Sequence, residues 1–286
     1  MQGVDTLPLG VPDFSAANGS VDVSSGTVRA DSVYTAGEYV PESWIPRRPW
    51  LPLPPAGMHR LNARVSGASE PPVLLLRDAS LSALVGVIPR QIRNLVRVED
   101  GQLHRTDRFL DALLSRLPDL RRLLGEQVVF APTTEDPVLG CREPGLETAT
   151  RDYTRGNLRL GLHIDSRRYY RSWNDRRRAP WLFCLNVGAE DRFFLFVPAS
   201  LDDLVRRLNS DPKVHDELAR APGRFTGQYL SLFPETEIYR LRVRPGEAYV
   251  APVENLIHDG STAGNTFLDL TLNLRGSMEY GTRRAI

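Results

Sequence analysis

The sequence is almost without lysine. Lys213 is the one lysine among 36 lysine and arginine residues, and 35 acidic residues leave a formal net charge of +1. A chain so balanced carries no overall field for a nucleic acid or an anionic membrane, and neither is expected as a partner. Cysteine is scarce too: Cys141 and Cys184 cannot build a disulfide framework, and neither stands in a CxxC pair suited to zinc or redox work. No apolar run approaches the roughly 18 residues of a membrane helix. The start Met1-Gln2-Gly3-Val4-Asp5 lacks the basic-then-apolar order of a signal peptide, so a cytoplasmic location is expected. What is present, 41% hydrophobic and 25% charged among 286 residues, is the composition of a soluble globular fold and excludes collagen, coiled coil and disorder throughout.

Residues 1 to about 72 are rich in Gly, Ser, Pro and Ala, with prolines packed between Pro41 and Pro55. Proline removes amide donors and fixes φ, so this part reads as an extended N-terminal arm, anchored by Trp44 and Trp50 on its own body or on a second subunit. Residues 73–286 read as one domain. Between Arg77 and about Gly125 the apolar spacing is helical, first through Leu81, Leu84, Val85, Ile88 and Ile92, then through Phe109, Leu110, Leu113, Leu114 and Leu117. Asp107 suits an N-cap and Gly125 a stop, and the mixed charges favour a helical layer supporting a sheet over a DNA-reading pair.

From about 128 to 280 the pattern is that of strands, so the fold class is α+β, mainly β. Asn157 to Asp165 alternates strictly, with Leu158, Leu160, Leu162 and Ile164 on one face and Asn157, Arg159, Gly161, His163 and Asp165 on the other. Trp181–Val187 and Arg192–Val197 read as strands, Ser200 to about Ala221 as a helix. Ile238–Val243 and Ala248–Ala251 read as a hairpin about Arg244-Pro245-Gly246-Glu247. Leu268 to Arg275 alternates again, with Asp269, Thr271, Asn273 and Arg275 sharing a face. A solvated sheet face is the ordinary reading of such polar rows. Their His, Asp, Asn and Arg content favours the inside of an antiparallel barrel, where both rows line one polar cavity.

His163 and Asp165, one residue apart on a strand, leave the same face about 6 to 7 Å apart at the backbone, which suits two ligands of one ion. His59, His104 and His215 lie in contexts expected to face solvent. His258 instead follows the strand and turn 245–252, where a strand delivers a side chain to a barrel mouth. Together His163, Asp165 and His258 form a two-histidine, one-carboxylate triad that leaves three positions open on an octahedral Fe(II), although zinc would accept the same ligands. Arg275, 17 residues after His258, and Ser277 on the same face supply a guanidinium fork and a hydroxyl suited to a carboxylate.

Across about residues 150 to 280 the chain resembles the Fe(II)/2-oxoglutarate-dependent dioxygenases of the double-stranded β-helix, or cupin, class. The motifs that carry the resemblance are His163-Ile164-Asp165, Pro245-Gly246-Glu247, His258 and Arg275-Gly276-Ser277. The distance from His258 to Arg275 is longer than in many relatives. The resemblance implies a jelly-roll core with flanking helices, Fe(II) on His163, Asp165 and His258, and 2-oxoglutarate held by Arg275 and Ser277. It also implies cosubstrate cleavage by O2 to succinate and CO2, coupled to hydroxylation of a small molecule such as an amino-acid-derived or other specialised metabolite. Desaturation and ring closure use the same ligands; halogenating relatives carry a small residue where Asp165 stands. Asn157 and Arg159 either reach cosubstrate or substrate, or stabilise the strand. The run Arg167 to Arg178 either grips an anionic substrate or an acidic carrier protein, or forms a solvated loop. A cupin-type metalloenzyme that does without 2-oxoglutarate, and a non-catalytic ligand-binding cupin, are the rival readings; homo-oligomerisation is left open.

Overall fold

The computed structural model describes residues 21–57, 73–76, 96–99, 102–105, 115, 118–120, 122, 130–133, 137–166, 170, 172–208 and 220–278. The sheets are built from strands β1 (Val21–Ser24), β2 (Leu51–Pro52), β3 (Leu74–Leu76), β4 (Phe130–Pro132), β5 (Val138–Arg142), β6 (Trp181–Asn186), β7 (Arg192–Phe196), β8 (Ile238–Val243), β9 (Ala248–Ala251), β10 (His258–Ser261) and β11 (Asp269–Met278). A five-stranded sheet runs β10-β7-β8-β1-β2, and a six-stranded sheet runs β3-β9-β6-β11-β4, with β5 also paired to β11. Every pairing in them is antiparallel. The architecture is mainly β, two curled sheets that face each other as a half-barrel.

Strand alternation explains the layers. Trp181, Phe183 and Leu185 of β6 and Leu270, Leu272 and Leu274 of β11 pack together with Phe130 on the outer face of the six-stranded sheet. Residues of the opposite parity turn inward: Cys184, Tyr249 and Ala251 meet Phe194, Phe196, Tyr239 and Leu241 from the facing sheet. A third cluster covers the far side of the five-stranded sheet, where Leu195, Val197 and Ile238 pack under helices α2 (Leu201–Arg207) and α3 (Pro222–Leu232). Each fully buried large apolar side chain contributes about 1.5–3 kcal/mol relative to exposure, so these three layers hold the sheets in place.

Several expectations change. Ile238–Val243 and Ala248–Ala251 are strands, yet they do not form a hairpin: β8 joins the five-stranded sheet and β9 the six-stranded one. The turn between them is a corner, with Gly246 at φ 83° and its N–H donated across to the Asn186 carbonyl at 2.9 Å. Val96–Glu99 and Gln102–Arg105, inside the span expected to be helical, pair as an antiparallel hairpin. Asp100-Gly101 between them is a dipeptide that tight hairpins favour. The rest of 77–125, apart from 115, 118–120 and 122, lies outside the described residues. The helix expected from Ser200 is capped by the Ser200 hydroxyl, which accepts from the Asp203 N–H at 3.2 Å, but α2 ends at Arg207 and residues 209–219 are not described. Past Ala221, Pro222 opens α3, as proline favours a first helical position.

The described part of the N-terminal arm is woven into the body. β1 lies between β8 and β2, Thr27–Arg29 pairs with Trp44–Pro46, and Trp44 and Trp50 pack against the helix-side cluster. Among the described residues no helix is long and apolar enough to cross a membrane.

Candidate metal centre

The ligand segment is not one continuous strand. Leu158–Arg159 pairs briefly with Arg151–Asp152, and the chain then turns at Gly161, which has φ 70° and no room for a Cβ against the Trp44 carbonyl. Glycine alone takes this conformation without cost. Beyond the turn the backbone is pinned afresh. Leu162 N–H donates to Trp44 O at 2.7 Å, and His163 and His258 exchange hydrogen bonds of 3.0 and 2.8 Å. Asp165 N–H then donates to Val253 O at 3.0 Å. The bridge between the two histidines sets His163 beside β10, and β10 sets His258 beside Phe196 of β7.

The turn also corrects two expected site residues. Arg159 faces the N-terminal segment, where it pairs with Glu38 and lies over the rings of Tyr34 and Tyr39 at 4.9 and 4.2 Å. Asn157 is exposed in a turn at φ 62°. Gly161 interrupts the alternation, so residues before it do not share the face of those after it.

His163, Asp165 and His258 do converge. Their potential ligand atoms lie within 4.8 Å of one another, with Asp165 Oδ1 3.4 Å from His163 Nε2 and 3.8 Å from His258 Nε2. The imidazoles are 4.7 Å apart at their centroids. His163 Nδ1–H donates to Gly161 O at 2.8 Å, and His258 Nδ1–H donates to Leu256 O at 2.9 Å. In the neutral imidazoles these bonds fix the tautomer whose Nε2 lone pair points into the cluster, the arrangement metal-binding histidines require. His163 Nε2 is buried and makes no hydrogen bond. A buried polar atom without a partner is costly, and a cation at this position would satisfy it.

The electrostatics agree with a cation site. Burial works against charging His163, but Asp165 and Asp259 outweigh it and raise its pKa to about 9. Burial and the neighbouring His163 push His258 down to about 4. For Asp165, burial is overcome by His163, His258 and Arg275, and its carboxyl stays well below the usual range. Behind His163, the fully buried Asp259 accepts from Thr150 N–H at 3.1 Å and Thr150 Oγ1–H at 2.7 Å, and its Oδ2 lies 3.8 Å from His163 Nδ1. Burial raises the pKa of Asp259.

Arg275 reaches the cluster from β11: its Nη2–H donates to Asp165 Oδ2 at 2.7 Å, and its Nη1 lies 3.9 Å from Glu254 Oε1. Ser277 does not accompany it. β6 ends at the Trp181–Gly276 pair, so Ser277 lies beyond it, paired with Ala131 of β4, and is exposed. The fork-and-hydroxyl pair expected for one carboxylate is thus reduced to Arg275.

The arginine run conceals one residue of the centre. Arg176, in the short helix α1 (Trp173–Arg177), is among the most buried large side chains, and its Nη1 donates to the Asp165 carbonyl at 2.9 Å. Arg177 pairs at the surface with Asp202, and Arg178 is exposed. Arg167, Arg168, Tyr169 and Arg171 lie outside the described residues. Glu254 and Asp259 carried no signal in the sequence beyond their proximity to His258, and Arg176, expected within a substrate-gripping or solvated run, is instead buried beside Asp165. His59 and His215 are not among the described residues.

No protein-family model matches the chain, and no curated protein matches it. The geometry of the site itself therefore carries the functional reading.

Proposed function

We propose that the protein is an Fe(II)- and 2-oxoglutarate-dependent oxygenase that hydroxylates a small molecule, an amino-acid-derived or other specialised metabolite. His163, Asp165 and His258 hold the metal in this reading. The observation that carries it is the buried, convergent triad with both Nδ1 atoms engaged by carbonyls and the His163 Nε2 left without a hydrogen bond. Two imidazoles and one carboxylate on one side of an ion leave the opposite positions for a chelating cosubstrate and O2. Bound Fe(II) would supply oxidative chemistry coupled to decarboxylation of the 2-oxo acid. The chain's own contribution is orientation: Asp165 presents Oδ1 to the histidines while Arg275 occupies Oδ2, and the Arg275 cation stands ready for an anionic ligand. Such charge-assisted bonds suit carboxylate recognition.

Strand order supports a double-stranded β-helix. From β6 to β7, from β8 to β9, from β9 to β10 and from β10 to β11 the chain crosses from one sheet to the other, and the ligand segment after Gly161 adds to the edge at β10.

One observation favours a second reading, a metalloenzyme of the cupin type that does without 2-oxoglutarate: Arg275 is engaged by Asp165 and Ser277 is exposed. Anaerobic Fe(II) loading followed by 2-oxoglutarate and then air separates the two. The oxygenase reading expects stoichiometric Fe(II) and succinate formation that His258→Ala abolishes. Fe(II) binding with no consumption of 2-oxoglutarate, against a panel of candidate substrates, would favour the second.

A further inference from the structure

We propose that Arg176 is a positioning residue for the metal-ligating carboxylate, fixing Asp165 from its main-chain side and linking it through Glu254 to Arg275. The inference rests on the metal-centre reading above.

Arg176 is 1% exposed, and a guanidinium so deeply buried is costly unless its donors and charge are matched. They are matched by the ligand residue and its neighbour. Arg176 Nη1 donates at 2.9 Å to the carbonyl of Asp165 and at 2.8 Å to the carbonyl of Glu254, whose Oε2 lies 3.6 Å away. The Arg176 guanidinium also covers the Tyr170 ring at 4.7 Å. In return, Asn255 Nδ2–H donates to the Arg176 carbonyl at 2.7 Å, so α1 and the segment before His258 are stitched in both directions.

On the other side of Asp165 the second arginine completes the arrangement. Arg275 holds Oδ2 at 2.7 Å and lies 3.9 Å from Glu254 Oε1, so Glu254 stands between two guanidinium groups that both reach Asp165. With its N–H on Val253 O, its carbonyl on Arg176 and its Oδ2 on Arg275, Asp165 keeps Oδ1 turned toward the two histidines. That geometry selects a carboxylate that ligates through one oxygen. Mere filling of the space would be served as well by an apolar side chain of similar volume, which avoids the desolvation cost. A lysine would bring one ammonium to the pocket but lacks the planar guanidinium face that lies over the Tyr170 ring while Nη1 serves the two carbonyls.

α1 bears the arginine and is itself held by a capping box, in which Ser172 and Asp175 satisfy each other's backbone N–H groups. The segment that follows Asp165 in the chain is therefore coupled to it through the Asp165 carbonyl. A change in that segment is transmitted to the metal through Arg176.

Co(II) is the probe: its ligand-field absorption reports the ligand geometry independently of turnover. The parent protein should bind Co(II), and Arg176→Lys should bind it about 10- to 100-fold more weakly with a shifted absorption spectrum, the range expected when a supporting partner of a ligand is lost. Arg177→Gln, in the same helix but on an exposed pair with Asp202, should change neither. Parent-like Co(II) affinity and spectrum in a folded Arg176→Lys protein would overturn the proposal. If that variant does not fold, Arg176→Met, which keeps volume without charge, is read in the same way; if neither folds, the residue is structural and the proposal falls. A parent protein that binds no Co(II) would overturn the metal-centre reading and this inference together, whereas normal parent binding with indifferent variants overturns this one alone.

Discussion

Two buried polar clusters occupy the space between the sheets, and they are built on opposite principles. Around Arg192 the groups satisfy one another: its Nε–H donates to Asp269 at 3.2 Å and its Nη1–H to Cys184 Sγ at 2.9 Å, with the Tyr249 hydroxyl 3.5 Å away. Burial works against charging Arg192, yet Asp269 holds its pKa well above the ordinary value. Around Asp165 the balance is different, since two imidazole Nε2 atoms and one carboxylate oxygen converge and the His163 Nε2 has no hydrogen-bond partner. A closed, mutually satisfied pair stabilises the fold, whereas convergent lone pairs in a buried place are poised for something that enters.

The largest effects should separate the clusters cleanly. Asp165→Ala or His258→Ala removes a ligand and should weaken metal binding by more than about 100-fold, beyond the usual loss for an outer partner, with the fold kept. Arg192→Met should do the reverse, since stranding the Asp269 charge costs about 3–5 kcal/mol of stability while leaving metal affinity near the parent value. Calorimetric metal titration beside thermal melts reads both, and a large metal defect in Arg192→Met would erase the distinction.

Arg275 stands on the open cluster but is itself half committed to Asp165. Arg275→Ala should raise the apparent 2-oxoglutarate constant by about one to two orders of magnitude, as charge-assisted bonds of about 1.5–3 kcal/mol imply. Its effect on Fe(II) affinity, through Asp165 alone, should stay below about tenfold. Steady-state kinetics with anaerobic Fe(II) titration checks the pair, and an unchanged constant would remove Arg275 from cosubstrate recognition.

A pH series sharpens the comparison further. The pKa of His163 is raised to about 9 from an ordinary 6.5, so in the metal-free protein its contribution to stability is full below the ordinary value and is lost as the pH rises through about 9. A metal must displace that same proton. Apparent metal affinity should therefore climb about tenfold per pH unit between the two values, with a proton released that calorimetry in buffers of different ionisation enthalpy detects. Metal binding that is flat with pH would show that His163 carries no such proton.

The smallest effects belong to the surface arginines. Arg177→Gln breaks an exposed pair with Asp202 and Arg178→Gln touches an exposed side chain, so each should change stability by less than about 1 kcal/mol. Adding Arg176→Gln should cost more than both. Equal melting shifts across the three would show that burial of Arg176 does not matter.

Legibility in the sequence followed the range of each signal. Local strand patterns located β6, β7, β8 and β9 to within about a residue, and alternation located the start of β11, which runs on to Met278, three residues past the expected end. Which strands pair is not local, and the corner at Gly246 was read as a hairpin because both use a Pro-Gly turn. The inward row Asp269, Thr271, Asn273 and Arg275 holds along β11, whereas the row from Asn157 to Asp165 breaks at Gly161, where a positive φ redirects the chain. His163, Asp165 and His258 were readable because a spacing of two and a strand-end histidine are rare enough to stand out. Arg176 was not: within a run of arginines its burial depends on the Asp165 and Glu254 carbonyls, which only the folded chain brings near.

Anaerobic Fe(II) titration of the parent beside the His163→Ala/Asp165→Ala/His258→Ala variant tests the central claim most directly. Stoichiometric binding in the parent and none in the folded triple variant is the predicted result. Equal Fe(II) binding by the two proteins would contradict the assignment of the metal centre.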